Sequence, residues 1–171
     1  MAEDEVSAAA PAPGKMTMVA GIDESDHSFY ALEWALQHFF PAGQPQQYRL
    51  VAVTAKPSAA SAVGLAVPGT GAADVLPHVE ADLKRTALRV VDRARALCAR
   101  VTDDAVFEAV EGDARNVLCE AVERHRAEVL VVGSHAYGAI KRAVLGSVSD
   151  YCAHHAHCTV MIVKKPKHNN S

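Results

Sequence analysis

The sequence predicts an α/β domain built around a parallel sheet, and three observations carry that expectation. Short apolar runs alternate along the chain with longer segments of helical period. Successive runs are separated by a dozen or more residues, the spacing of right-handed βαβ crossovers rather than of hairpins. The run Glu128 to Val132 is apolar nearly throughout, as a strand covered on both faces must be. The chain has 171 residues, half of them hydrophobic and 22% charged, a balance that suits one soluble domain with a sizeable core.

The elements follow in order. Met16 to Ile22 is strand-like, and Asp26 to Phe40 places Phe29, Ala31, Leu32, Ala35, Leu36 and Phe39 on one helical face. Tyr48 to Ala55 is a second strand, and a loop rich in Pro, Ser, Ala and Gly runs from Lys56 to about Ala73. A long helix fits Asp74 to Arg100, where Leu76, Val79, Leu83, Ala87, Val90, Val91, Ala94, Leu97 and Cys98 recur at three and four. Ala105 to Val110 is a third strand. Gly112 and Asp113 turn the chain, and Asp113 is suited to cap a helix over Ala114 to His125. After the fourth strand, Glu128 to Val132, come a glycine-containing loop, a helix from Ser147 to His155 and a fifth strand, Cys158 to Val163. Residues 1–15 and 166–171 read as solvated tails around a domain over 16–165.

Composition narrows the function. A formal charge of −3 and 5% aromatic residues give neither the basic footprint nor the stacking platform of a nucleic-acid binder. No apolar run approaches the ~18 residues of a membrane span. The four cysteines form no CxxC pair and read as reduced core residues. The acidic start MAEDEV lacks the charge and apolar stretch of a leader peptide, so the expected location is the cytoplasm, with the nucleus also compatible.

In an open parallel sheet, ligands bind beyond the carboxyl ends of the strands where strand order reverses. That rule selects Gly21 to Ser25 and the loop Gly133 to Ser149. In the second loop, Gly146 is followed by Ser147, Val148 and Ser149 at a helix start, where free N–H groups, hydroxyls and a partial positive charge suit a phosphate. Gly133 lets a ribose or phosphate approach the main chain. Lys141 and Arg142 can add charge, or be ordinary solvated side chains. There is no GxxxxGK[ST], and Gly69-Thr70-Gly71 lacks the third glycine of a dinucleotide fingerprint and follows no strand.

The strand followed by Asp23-x-Ser25, the helix bearing Trp34, Gly112-Asp113, the block Val131-Val132-Gly133-Ser134-His135 and the block Leu145-Gly146-Ser147-Val148-Ser149 together resemble the universal stress protein family, most closely its single-domain plant-type members. The resemblance implies an open, doubly wound sheet of five parallel strands in the order 3-2-1-4-5, with helices on both faces. It also implies homodimers, with the apolar fifth strand as the joining edge; the alternative is cover of that strand by a tail, which a concentration-independent monomer mass would favour. In one subgroup it implies ATP at the strand ends, with AMP or ADP as alternatives and Mg2+ as companion.

Carried over by position, Ile22 and Asp23 lie by adenine and ribose, and Val53 presents backbone to the base. Val132 and Gly133 meet the ribose side, while His135, Ala136, Gly146, Ser147, Val148 and Ser149 surround the phosphates. Asp23 has a second reading as a helix-capping residue.

The family's ATP pattern is Gly-x2-Gly-x9-Gly-Ser/Thr, and this chain has Gly133-x2-Ala136-x9-Gly146-Ser147. A Cβ at a position needing positive φ costs about 1 kcal/mol or more, which predicts a recognisable but weakened site. Ala136→Gly is expected to tighten ATP binding up to about tenfold in calorimetry; unchanged affinity refutes the steric argument.

Two functions are therefore expected in competition. One is an adenine-nucleotide-binding stress-response protein acting as a homodimeric sensor or switch, and the other a nucleotide-free dimeric interaction module of the same fold that docks protein partners. Enzymatic turnover is not expected. Ser134, His135, Ser147 and Asp150 invite a hydrolase reading, but there is no G-x-S-x-G elbow, and no general base or Walker lysine supports fast ATP hydrolysis. His154, His155 and His157 diverge around a helix end rather than converging on a metal, and histidines there suit the helix dipole.

Overall fold

The computed structural model describes residues 14–64, 72–134 and 146–167. Its elements are β1 (Met16–Gly21), α1 (Asp26–Phe39), β2 (Tyr48–Lys56), α2 (Ala59–Gly64), α3 (Ala72–Cys98), β3 (Val106–Glu111), α4 (Ala114–His125), β4 (Val129–Gly133), α5 (Ser147–His155) and β5 (Thr159–Val163). Side-chain alternation along the strands divides the core in two. Met18, Ala20, Leu50, Ala52, Val129 and Val131 pack with Phe29, Leu32 and Leu36 of α1 and with Val90 and Ala94 of α3. Val19, Val51, Val53, Leu130 and Val132 pack with Val117, Leu118 and Val122 of α4 and with Cys152 of α5. Helices thus cover both faces, and the all-parallel sheet runs β3-β2-β1-β4-β5.

The register aligns the carboxyl ends of the strands. Gly21 stands beside Val53, and Gly133 beside Val163. β1 is the strand at which the order reverses, since the chain moves outward to β2 and β3 on one side and to β4 and β5 on the other. β3 and β5 are the two edges of the sheet.

Asp113 caps α4 as its residue type predicts, accepting the Arg115 N–H at 3.0 Å, and Gly112 before it holds φ +146°, where a side chain is strained. The same helix ends on Arg126 at φ +49°, with the Ala127 N–H returned to the Val122 carbonyl.

Beyond shifts of a residue at element ends, two segments differ from the sequence expectation. The expected loop from Lys56 to Ala73 contains α2, which starts where the Ser58 hydroxyl accepts the Ser61 N–H at 3.1 Å. α3 begins at Ala72 rather than Asp74, so Asp74 is an acid within the first turn, favoured there by the dipole. The expected tail residues 1–13 and 168–171, and Gly69-Thr70-Gly71, lie outside the described residues.

Candidate functional site

At the order reversal the strand ends frame a cleft of about 330 Å³, within the range of small-molecule sites. Gly21, Ile22 and Asp23 leave β1 along its floor, and Val53, Ala55 and Pro57 of the β2 end form one wall. Val132 and Gly133 of β4 stand opposite, with Ala114 and Leu118 of α4 beneath. Gly146 to Ser149, the start of α5, closes the far side. One half is therefore apolar, and the other is the amino end of a nine-residue helix.

Nine of the residues expected at the site, Ile22, Asp23, Val53, Val132, Gly133, Gly146, Ser147, Val148 and Ser149, line this one cleft. His135 and Ala136, with Gly138, Lys141 and Arg142, lie outside the described residues. Among the described lining residues there is no lysine or arginine, so an anion would meet main-chain N–H groups and hydroxyls.

The structure refines several roles. The Ser149 side chain is buried, and its hydroxyl donates to the Gly146 carbonyl at 3.0 Å, so it braces the first turn and leaves the main-chain amides to face a guest. The Val53 carbonyl already accepts the Ile22 N–H at 2.9 Å, which locks the floor of the cleft to its wall. At Gly133 the space a side chain would fill is taken by α1, with the His27 carbonyl oxygen 2.6 Å from an ideal Cβ. Its lack of a side chain therefore serves helix packing.

Asp23 supports the helix cap rather than forming it. Ser25 is the N-cap of α1, its hydroxyl oxygen accepting the Ser28 N–H at 3.2 Å. The exposed Asp23 carboxylate accepts, at Oδ1, both the Ser25 N–H at 2.8 Å and the Ser25 hydroxyl, and so holds the capping side chain in place.

Besides the wall residues Ala55, Pro57, Ala114 and Leu118, sequence reasoning missed Ser28. Its buried hydroxyl accepts the Asp23 N–H at 3.0 Å and shares its proton between the Asp23 and Ser25 carbonyls, both at 3.1 Å. The serine three places after the cap was a legible hint of this closed turn. Ser28→Ala is expected to destabilise by about 1–2 kcal/mol in urea unfolding, because buried main-chain groups lose their partner; a change within error would remove the bracing role.

Other expected features fall elsewhere. The His154 and His155 Nδ1 atoms pair with the carbonyls of Asp150 and Tyr151, and His157 pairs with Glu123, so each ring has its own partner. Among the described residues no group of His, Cys, Asp and Glu is arranged to hold a metal, and no helix is long and apolar enough to cross a membrane.

Known proteins share both the sequence pattern and the architecture. Universal stress protein PHOS34 of Arabidopsis thaliana is 30% identical, the match covering 94% of this chain and 67% of the relative. The chain spans about two thirds or less of the curated relatives first matched. A universal stress protein family structure from Arabidopsis thaliana with AMP bound superposes with a TM-score of 0.63 at 19% identity, covering 91% of this chain and 96% of the other. A universal stress protein in complex with cAMP gives 0.62 at 25% identity, covering 88% and 97%. Residues 16–164 match the Universal stress protein family, and the chain belongs to that family.

Proposed function

We propose that the chain binds an adenine nucleotide in the cleft between β1 and β4 and acts as a homodimeric stress-response switch. The observation that carries this reading is the meeting of Ile22, Asp23, Val53, Val132 and Gly133 with the start of α5 in a single cavity of suitable size. Its apolar walls suit a purine, and the first-turn amides of α5 suit phosphate oxygens. Relatives solved with AMP and with cAMP support the same ligand class. ATP is the primary candidate, with AMP and ADP as alternatives. Mg2+, where it accompanies ATP, would be held mainly by the phosphates and water, because Asp23 is the one carboxylate among the described lining residues and its Oδ1 already accepts from Ser25.

The dimer uses β5, where Val160, Met161 and Ile162 are only half-buried on an edge strand. A main-chain bond from the Ser134 N–H to the Val163 carbonyl, 3.1 Å, ties the exit of β4 to the end of β5 and gives occupancy of the cleft a route to the joining edge. The protein is a binder rather than a fast enzyme, working in the cytoplasm and also compatible with the nucleus.

Native mass spectrometry of freshly purified protein, followed by calorimetry with AMP, ADP and ATP with and without Mg2+, tests the reading. A dimer that carries or takes up one adenine nucleotide per chain is expected. Ala136 keeps the nucleotide-free module as the second reading, and a dimer indifferent to all three nucleotides would establish that module instead.

A further inference from the structure

A second cavity, also of about 330 Å³, opens at the same strand ends on the α3 face of the sheet, between the turn Asp23 to Ser25, the end of β2 and α3. Side-chain alternation along β2 divides the two spaces: Val53 packs on the α4 side, whereas Thr54 and Lys56 turn toward α3. A smaller cavity of about 190 Å³ continues the second one along α3, sharing Lys56, Pro57 and Leu83 with it and adding Glu80 and Glu111. Three features of the joined groove bear on what it holds. Its carboxylates fall in two exposed pairs, Asp23 with Glu24 and Glu80 with Glu111, on either side of the shared part. Between them the lining is apolar, with Pro57, Leu83 and Ala87. Thr54 is only 3% exposed, yet its hydroxyl bonds to none of the described residues, and a buried hydroxyl is costly to leave without a partner.

We propose that this groove binds an aliphatic polyamine, a methylene chain carrying ammonium groups, and that the polyamine and the nucleotide strengthen one another's binding through Asp23. The second half rests on the function proposed above. An ammonium group beside the Asp23 turn has three acceptors: the Glu24 carboxylate, the Thr54 hydroxyl and Oδ2 of Asp23, since Ser25 engages only Oδ1. A second ammonium meets Glu80 and Glu111. Lys56, the one basic residue among the described lining, stands 3.8 Å from Glu111, at the long end of an ion pair, so four carboxylates outweigh a single cation. The methylenes between the ammonium groups lie on Pro57 and Leu83.

From Glu80 to Thr86 the axis of α3 rises about 9 Å, a span that an extended triamine covers. A hydrated metal ion is a poorer match, because the apolar middle offers it no ligand and, among the described residues, no group of His, Cys, Asp and Glu is arranged to hold one. Asp23 supplies the coupling, since it lines both the nucleotide cleft and the groove. Its negative charge opposes the phosphates on one side and attracts an ammonium on the other. An ammonium at Asp23 offsets that repulsion, and by linkage a bound nucleotide favours the amine by the same factor.

The test is calorimetry on the full-length protein with spermidine and, as a probe of equal charge without methylenes, hexaamminecobalt(III). One spermidine per chain is expected, bound at least tenfold more tightly than the cobalt complex. Glu24→Gln and Glu80→Gln, both at exposed positions, should each weaken spermidine several-fold and leave AMP affinity in its absence unchanged, and Thr54→Val should weaken spermidine as well. With saturating spermidine, AMP should bind several-fold more tightly once their association in buffer is subtracted, and Asp23→Asn should remove that gain. Equal affinity for the two cations, or spermidine binding untouched by both glutamate variants, shows a diffuse ion atmosphere and overturns the site. Spermidine binding with no change in AMP affinity, or a gain that survives Asp23→Asn, overturns the coupling while the site stands. A protein that takes spermidine yet binds no AMP with or without it overturns the nucleotide reading, and the coupling with it, but not the groove.

Discussion

Gly133→Ala is expected to destabilise the fold by about 3 kcal/mol, the upper range for forcing volume into a packed site. The new Cβ would stand 2.6 Å from the His27 carbonyl oxygen, 2.7 Å from its carbon and 3.0 Å from the Ser28 nitrogen. These are main-chain atoms of the first turn of α1 and cannot rotate aside. Either the amino end of α1 lifts off β4, or the end of β4 leaves its ladder. Lifting α1 also carries away the Ser28 hydroxyl that closes the Asp23 turn, so ligand affinity should fall together with stability. Gly21→Ala is the natural comparison, because its Cβ would meet the tips of Leu118 and Val132, at 2.8 and 3.3 Å, which can give way. Urea unfolding of both variants decides: a loss at position 133 no larger than at position 21 contradicts the backbone collision.

The second large effect lies on the far side of α4. Glu108 of β3 accepts from the His125 Nε2 at 2.7 Å through one oxygen and from Arg124 through the other. The side chains of Glu108 and His125 are only 9% and 6% exposed, whereas that of Arg124 is 34% exposed. Removing the carboxylate therefore strands His125 away from water, while Arg124 can turn to solvent and adds little. Glu108→Ala should cost about 2–3 kcal/mol, and Glu108→Gln roughly half of that because an acceptor remains. The cluster is outside the cleft lining, so AMP affinity should be unchanged in both variants. A parallel loss of affinity in calorimetry would show that β3 and α4 strain the site.

Where a local signal marks a boundary, the sequence was legible to the residue. α4 and α5 occupy the expected spans, the first because Asp113 accepts a first-turn N–H, and α1 stops one residue short of the expected Phe40. β3, β4 and β5 each start one residue later than their apolar runs suggest. Ladder partners set those limits: Val106 pairs with Val51, and Thr159 with Val129. α2 was hidden because an Ala- and Ser-rich stretch reads as loop unless Ser58 is credited as its cap. The candidate site was legible through strand-end placement, but the duties of its residues were not. Gly133 is glycine on account of α1, and Ser28 is buried by packing distant in sequence. The gathering of Cys119, Cys152 and Cys158 in one packed cluster depends wholly on how α4, α5 and the approach to β5 meet.

The two rims of the sheet differ in kind. β5 offers Val160, Met161 and Ile162 without a charge, while β3 at the other rim carries Glu108 and an exposed Glu111. The acids of β3 are paired, Glu108 with Arg124 and His125 and Glu111 with Lys56, so that rim is bordered by ion pairs whereas β5, without a charged residue, has none. Charged side chains along one rim and none along the other make β5 the edge better suited to pairing with another strand.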